Sequence, residues 1–149
     1  MAVESSIPDF LSELRTDIAA RLSVTVTTHP LGLDQAPVGA VQVANVEGWT
    51  SQQIAMGGRM QEDYDVIITI TEKGTGRSET EWTAIRTALF AKAAEITDLC
   101  LDYIATPPST TGIKHVEWIG GGLDPVIVGD KDPGYQLDLR LHVTAVLDP

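Results

Sequence analysis

The chain has 149 residues, a net charge of −11, 43% hydrophobic side chains and one cysteine, Cys100. This is the size of one domain, residues 1–149, with enough apolar material for a core. The charge excludes tightly held nucleic acid and anionic membranes, which both need a Lys/Arg surface. No apolar run approaches the roughly 18 residues of a membrane span, and a lone cysteine excludes an internal disulfide.

The first ten residues, MAVESSIPDF, lack a basic region followed by an apolar run, so no signal peptide is expected. Synthesis in a reducing cytoplasm suits the cysteine count. Charge alone leaves two readings, a soluble surface or one past which DNA slides without sticking.

Residues 6–22 read as a helix. Ser6 is placed to cap it, Pro8 falls in the first turn and Asp9 lies near the positive dipole end. Ile7, Leu11, Leu14, Ile18 and Leu22 form one apolar stripe. Val24–Thr28 alternates as a short strand ending near His29-Pro30. Residues 31–37 carry the Gly and Pro of a loop. Val38–Val46 is the second strand, and Gly48 separates it from a long hairpin.

The stretch Val46–Lys73 organises the chain. Tyr64, Val66, Ile68 and Ile70 share one strand face, and Asp65, Ile67, Thr69 and Thr71 the other. Trp49–Met56 lies back along this strand, with Gly57-Gly58 at the reversal. The result is a long β-hairpin, apolar at its base and charged at Arg59, Glu62 and Asp63 near its tip. Such a hairpin reaches past its own core and needs a second surface, such as a neighbouring copy.

Lys73–Arg77 reads as a turn. Ser78 and Glu81 have capping-box spacing and open a helix to about Ile104. Its stripe is Trp82, Ile85, Leu89, Ala93, Ile96, Leu99 or Cys100, and Tyr103. Thr106-Pro107-Pro108 ends it. After a loop at Ser109–Gly112, Ile113–Ile119 is a strand with Val116 and Trp118 on one face. Gly120–Gly122 breaks that strand, and Gly129–Gly134 is a turn-rich connection. Tyr135–Leu147 closes the chain, with its odd-numbered residues apolar and Gln136, Asp138, Arg140, His142 and Thr144 opposite. The order α-β-β-β-β-α-β-β predicts an α+β fold, a mainly antiparallel β-sheet with a long β-hairpin, flanked by two α-helices on one face.

Chemical motifs are sparse. His29, His115 and His142 fall in different elements without metal-ligand spacing, so no metal is expected. Cys100 sits near an apolar stripe and reads as a buried thiol. Asp130 and Asp132 lack the distal ligands of a calcium loop. Gly120–Gly122 precedes no helix that would make a phosphate cradle. No catalytic residue and no cofactor is assigned. An enzyme would have to gather dispersed residues such as His115, Glu117 and Asp138, and a ligand-binding module would need an apolar pocket. Trp82 and Trp118 fall on core-facing patterns, whereas Trp49 opens the hairpin in a polar setting that suits an interface.

Three runs, Asn45-Val46-Glu47-Gly48-Trp49, Ala55-Met56-Gly57-Gly58-Arg59 and Gln61-Glu62-Asp63-Tyr64, precede the alternating strand. Together with the element order from residue 7 onward, they resemble the tail terminators of long-tailed actinobacterial phages, within the wider group of head-tail joining and tail completion proteins. The resemblance implies a virion protein, made in the host cytoplasm, that forms a homo-hexameric ring at the end of the tail tube. Such a ring stops tail polymerisation and offers a surface to head-tail connector proteins. Its partners would be further copies of itself, the tail tube protein and the connector, with DNA passing through the lumen and no membrane. A head-tail adaptor or a tail tube subunit is the near alternative. Within this resemblance Trp49, Arg59, Glu62 and Tyr64 are the expected subunit-contact residues, and the charged Gly129–Gly134 stretch departs from the pattern.

Overall fold

A computed structural model describes residues 3–28, 40–74, 78–128 and 132–149. His29-Pro30, the expected loop 31–37, the start of the second strand at Val38 and parts of the 73–77 and 129–134 turns lie outside them. The elements are α1 (Ile7–Leu22), β1 (Val26–Thr27), β2 (Val41–Gln53), β3 (Met60–Lys73), α2 (Glu79–Ala105), β4 (Ile113–Val128) and β5 (Asp132–Leu147).

One five-stranded sheet runs β1-β2-β3-β5-β4. Only the β1–β2 pair is parallel; β2–β3, β3–β5 and β5–β4 are antiparallel. Because β5 inserts between β3 and β4, the alternating C-terminal strand becomes central and β4 an outer edge. Both helices pack on one face, α1 over β1 and β2 and α2 over β3, β5 and β4. The α+β fold expected from the sequence is the fold observed.

Strand alternation places the core as the pattern predicts. Tyr64, Val66, Ile68 and Ile70 of β3 pair with Val143, Leu141, Leu139 and Leu137 of β5 in the buried layer. The helix α1 turns further than its pattern suggests. Phe10, Leu14 and Ile18 are its buried row, and Ile7, Leu11 and Leu22 flank it. Phe10 holds that orientation through an edge-to-face contact with Tyr103 of α2, ring centroids 6.0 Å apart. On α2 the buried set includes both Leu99 and Cys100. Ser78 caps it by accepting from the Glu81 amide at 3.3 Å.

Three boundary expectations are corrected. Gly48 does not separate two strands. It has φ +63°, and β2 passes through it with a register shift between Glu47 and Thr50. A bulge on one strand absorbs the extra residue while the ladder continues. Two expected strands therefore merge, and the order is α-β-β-β-α-β-β. Gly120–Gly122 does not end β4 either, since Gly120, Gly121 and Gly122 pair with Arg140, Leu139 and Asp138. Glycine weakens a strand, but a continuous partner carries it. Ser6 is not the side-chain cap of α1: its backbone is helical and its hydroxyl is used elsewhere, while the Ser5 hydroxyl accepts from the Ile7 amide at 3.2 Å.

At Gly121 β4 lies close against β5: an added Cβ would lie 2.2 Å from the Asp138 carbonyl oxygen. The same atom at Gly122 would meet nothing within 4 Å. Gly121→Ala should therefore cost about 1–3 kcal/mol, as an overpacked site does. Gly122→Ala should stay within about 0.5 kcal/mol of the parent. Urea midpoints of the two variants measure the difference; equal midpoints would mean that β4 does not approach β5 as described.

Candidate functional site

The root of the hairpin is built around one carboxylate. Glu62 has the strand parity of Tyr64 and Val66, so β3 turns it toward the helices, and it is 1% exposed. Its Oε1 accepts from the Ser6 amide at 2.7 Å and the Ser6 hydroxyl at 2.6 Å. Its Oε2 accepts from the Ser5 hydroxyl at 2.8 Å and the Trp49 indole Nε1 at 3.0 Å. These bonds use the roughly four acceptor positions of a carboxylate. With the Ser6 proton committed to Glu62, the Tyr64 hydroxyl donates to Ser6 Oγ at 2.9 Å.

Two effects oppose each other at this carboxylate. Burial acts most strongly and pushes its pKa up; the hydrogen bonds from the Ser6 hydroxyl, Trp49, the Ser6 amide and the Ser5 hydroxyl together bring it below the ordinary value of 4.5. The group is therefore a buried anion at neutral pH, held at the N-terminus of α1 where the helix dipole favours negative charge. Burial also pushes the Tyr64 hydroxyl up, so it stays protonated.

Of the expected contact residues, Glu62, Trp49 and Tyr64 thus gather in one place. Glu62 and Tyr64 are spent inside the subunit, while Trp49 is 56% exposed and keeps its ring at the surface. Arg59 lies apart at the hairpin turn, paired through Nε with Asp148 at 2.8 Å, both side chains exposed. The turn has Gly57 at φ +90° and Gly58 at +84°, and Met56 beside it is 99% exposed. Every residue from Glu47 to Gly57 is exposed, whereas the facing β3 arm is backed by β5 from Met60 onward.

The sheet face away from the helices is polar and mostly acidic. His142 lies between two aspartates, Nδ1 2.7 Å from Asp65 and Nε2 3.4 Å from Asp63. Arg140 reaches Glu47 at 2.9 Å, and Thr144 donates to Asp63 at 2.7 Å. The Asp65 hydrogen bond raises the His142 pKa above 6.5, with burial opposing and the Asp63 contact adding to it.

Enzyme-like groupings do not converge. His115 and Glu117 pair beside Thr144 and His142 on β5. Asp138 lies six positions from Thr144 on the same strand, about 20 Å at strand rise. Cys100 is fully buried, its thiol pushed up to about 12 by burial. Among the described residues no group of three or more His, Cys, Asp or Glu is placed to hold a metal ion, and no helix is long and apolar enough to cross a membrane. An apolar groove of about 610 Å³ lies between α2 and β4, lined by Phe90, Ala94, Leu101, Trp118, Gly121 and Leu123.

No protein-family model matches the chain, and no curated protein matches it. Among solved structures, it is similar to a chain of a virion of a native gene transfer agent particle. The TM-score is 0.61 and the identity 16%, over 91% of this chain and 90% of that one. The two share a fold over nearly their whole length.

The Ser5–Ser6–Glu62 contact joins residues 56 and 57 apart, so no local motif announces it. One signal was present, because strand alternation puts Glu62 on the apolar face, where a lone carboxylate demands donors. Glu62→Gln should lower stability by about 2–4 kcal/mol, since an amide nitrogen then faces donors in a buried site. The wild-type carboxylate has a lowered folded pKa, so its stabilisation is present above about 4.5 and lost as pH falls through the folded value. Denaturation curves from pH 6 to pH 2 should be flatter for Glu62→Gln; parallel curves would remove the carboxylate from acid unfolding. His142 behaves oppositely. Its raised folded pKa gives stabilisation that is complete below 6.5 and lost as pH rises through the folded value. His142→Gln should abolish that alkaline-side slope, read as the thermal midpoint between pH 6 and pH 9.

Proposed function

We propose that this chain is a structural virion protein, one domain that forms a homo-hexameric ring on the end of a phage tail tube. The ring ends tail polymerisation and offers a surface to the head-tail connector. The observation that carries this reading is the fold held in common, over 91% of the chain, with a chain of a phage-like virion particle. The bare arm at Glu47–Gly57 supports it, because an exposed hairpin with Trp49, Ile54 and Met56 at its surface is suited to a neighbouring subunit.

In this reading Trp49 and Arg59 make contact with the next subunit. Glu62 and Tyr64 act from behind, fixing the direction in which Trp49 points. The acidic sheet face with Asp63, Asp65 and Asp138 suits a lumen through which DNA slides, since like charge keeps phosphate from sticking. The protein is made in the host cytoplasm and ends in the virion, without catalysis or a cofactor.

Native mass by sedimentation and electron microscopy, with and without purified tail tubes, tests the proposal. Closed six-membered rings, or caps on tube ends, are expected. Long tubes of this chain alone would make it a tube subunit, and binding to connector but not to tube would make it an adaptor. Trp49→Ala with Arg59→Ala should abolish assembly. Loss of the indole donor to Glu62 should cost about 1–2 kcal/mol of monomer stability; the exposed Arg59–Asp148 pair should add little. Full assembly by the double variant would remove both residues from the interface.

A further inference from the structure

The sheet has two outer edges, and among the described residues a large part of each has no strand neighbour. The strand β1 covers β2 only at Val41 and Gln42, so from Val43 to Gln53 β2 has no described neighbour on that side. On the far side, β4 is the outer strand along its whole length.

Backbone geometry aims hydrogen-bonding groups into the first edge. At the turn, the Ile54 amide donates to the Arg59 carbonyl at 3.1 Å. The register continues as Gln53↔Met60, Gln52↔Gln61, Ser51↔Glu62 and Thr50↔Asp63. In an antiparallel ladder, bonded and non-bonded pairs alternate. Gln52 and Thr50 therefore bond to β3, and Ser51 and Gln53 turn their N–H and C=O groups outward. Proteins usually guard such an edge with charge or proline, yet Trp49–Gln53 (WTSQQ) has neither. The β4 edge also has a stretch with neither, Ile119–Leu123 (IGGGL).

Strand direction says which occupant fits. Three successive antiparallel pairings separate β2 from β4, so the two edges run in opposite directions. Two copies set side by side in the same orientation bring β2 of one against β4 of the next as an antiparallel pair. That contact is heterologous, the kind that closes into a ring when each step adds a rotation. The side chains agree. The Trp49 indole bonds to Glu62, so Trp49 lies on the helix side of the sheet. On the same side, beside β4, is the apolar groove with Phe90, Leu101 and Trp118, the first two about half exposed. The rung Glu47–Asp65–His142–Glu117 puts Glu47 and Glu117 at one level across the sheet. A displacement toward the hairpin tip would separate these like charges in neighbouring copies and set Trp49 beside Trp118.

We infer that the outward edge of β2 at Ser51 and Gln53 is a strand-addition site for β4 of a second copy of this chain, with Trp49 seated in that copy's α2–β4 groove. The inference rests on the ring reading above and names its contact. Amide hydrogen exchange on the assembled particle and on the monomer tests it. The Ser51 and Gln53 amides should exchange on the order of 100-fold more slowly in the particle. The Gln52 and Thr50 amides, already bonded to β3, should be protected in both. Ser51→Pro removes one outward donor without touching the β3 ladder, and it should leave a folded monomer that does not assemble; if that variant fails to fold, exchange on the wild-type particle decides alone. Closed rings whose Ser51 and Gln53 amides exchange at the monomer rate would overturn the edge contact and leave the ring standing. A closed dimer protected on β2 but open on β4 would place β2 against its own copy and overturn it as well. Absence of any assembly, alone or on tail tubes, would overturn both.

Discussion

A buried carboxylate is tolerated only when its charge is met by donors, since leaving one unpaired costs several kcal/mol. Glu62 meets that demand with groups from two distant parts of the chain, the Ser5-Ser6 segment and the Trp49 indole. The N-terminus of α1 is thereby tied to the hairpin root. The position of α1 on the sheet, the seating of Phe10 against Tyr103 and the outward set of the Trp49 ring all depend on this attachment. Tyr64 adds the last donor through Ser6, so every hydroxyl and N–H proton of the network has an acceptor and the four acceptor positions of the carboxylate are filled.

Around that anchor the sheet is two-sided. One face, covered by α1 and α2, is a continuous apolar layer from Val41 through Ile68 to Leu141 and Val116. No described element covers the other, and its charges are arranged in short cross-strand sets, Asp63 and Asp65 about His142 and Glu47 with Arg140. The sets link strands on this side, and they leave the face acidic. Among the described residues, a face of that kind, a bare hairpin arm and two edges without a strand neighbour are the surfaces that the proposed ring would use. His115, Glu117 and Asp138 do not converge.

Much of this was legible in the residues. Period-two alternation in 64–71 and 135–147 placed the core face of β3 and β5, and the Ser78 cap and the proline pair after Thr106 bounded α2. These are local properties, decided by backbone geometry within a few residues. The hairpin reversal at Gly57-Gly58 was legible for the same reason, since both glycines hold positive φ. The strand boundaries at Gly48 and Gly120–Gly122 were misread because a glycine weakens a strand locally, while its neighbours on the sheet decide whether it continues.

Local pattern in the residues was enough for the class of fold, the two-faced strands and the absence of a recognisable catalytic motif. Long-range packing alone established that β5 lies between β3 and β4, that Ser5 and Ser6 bind Glu62, and which stretch of β2 lacks a neighbour among the described residues. The physical reason is range. Alternation and capping act over a few residues, whereas strand order and the pairing of a buried charge join residues more than fifty positions apart, whose meeting no local pattern encodes.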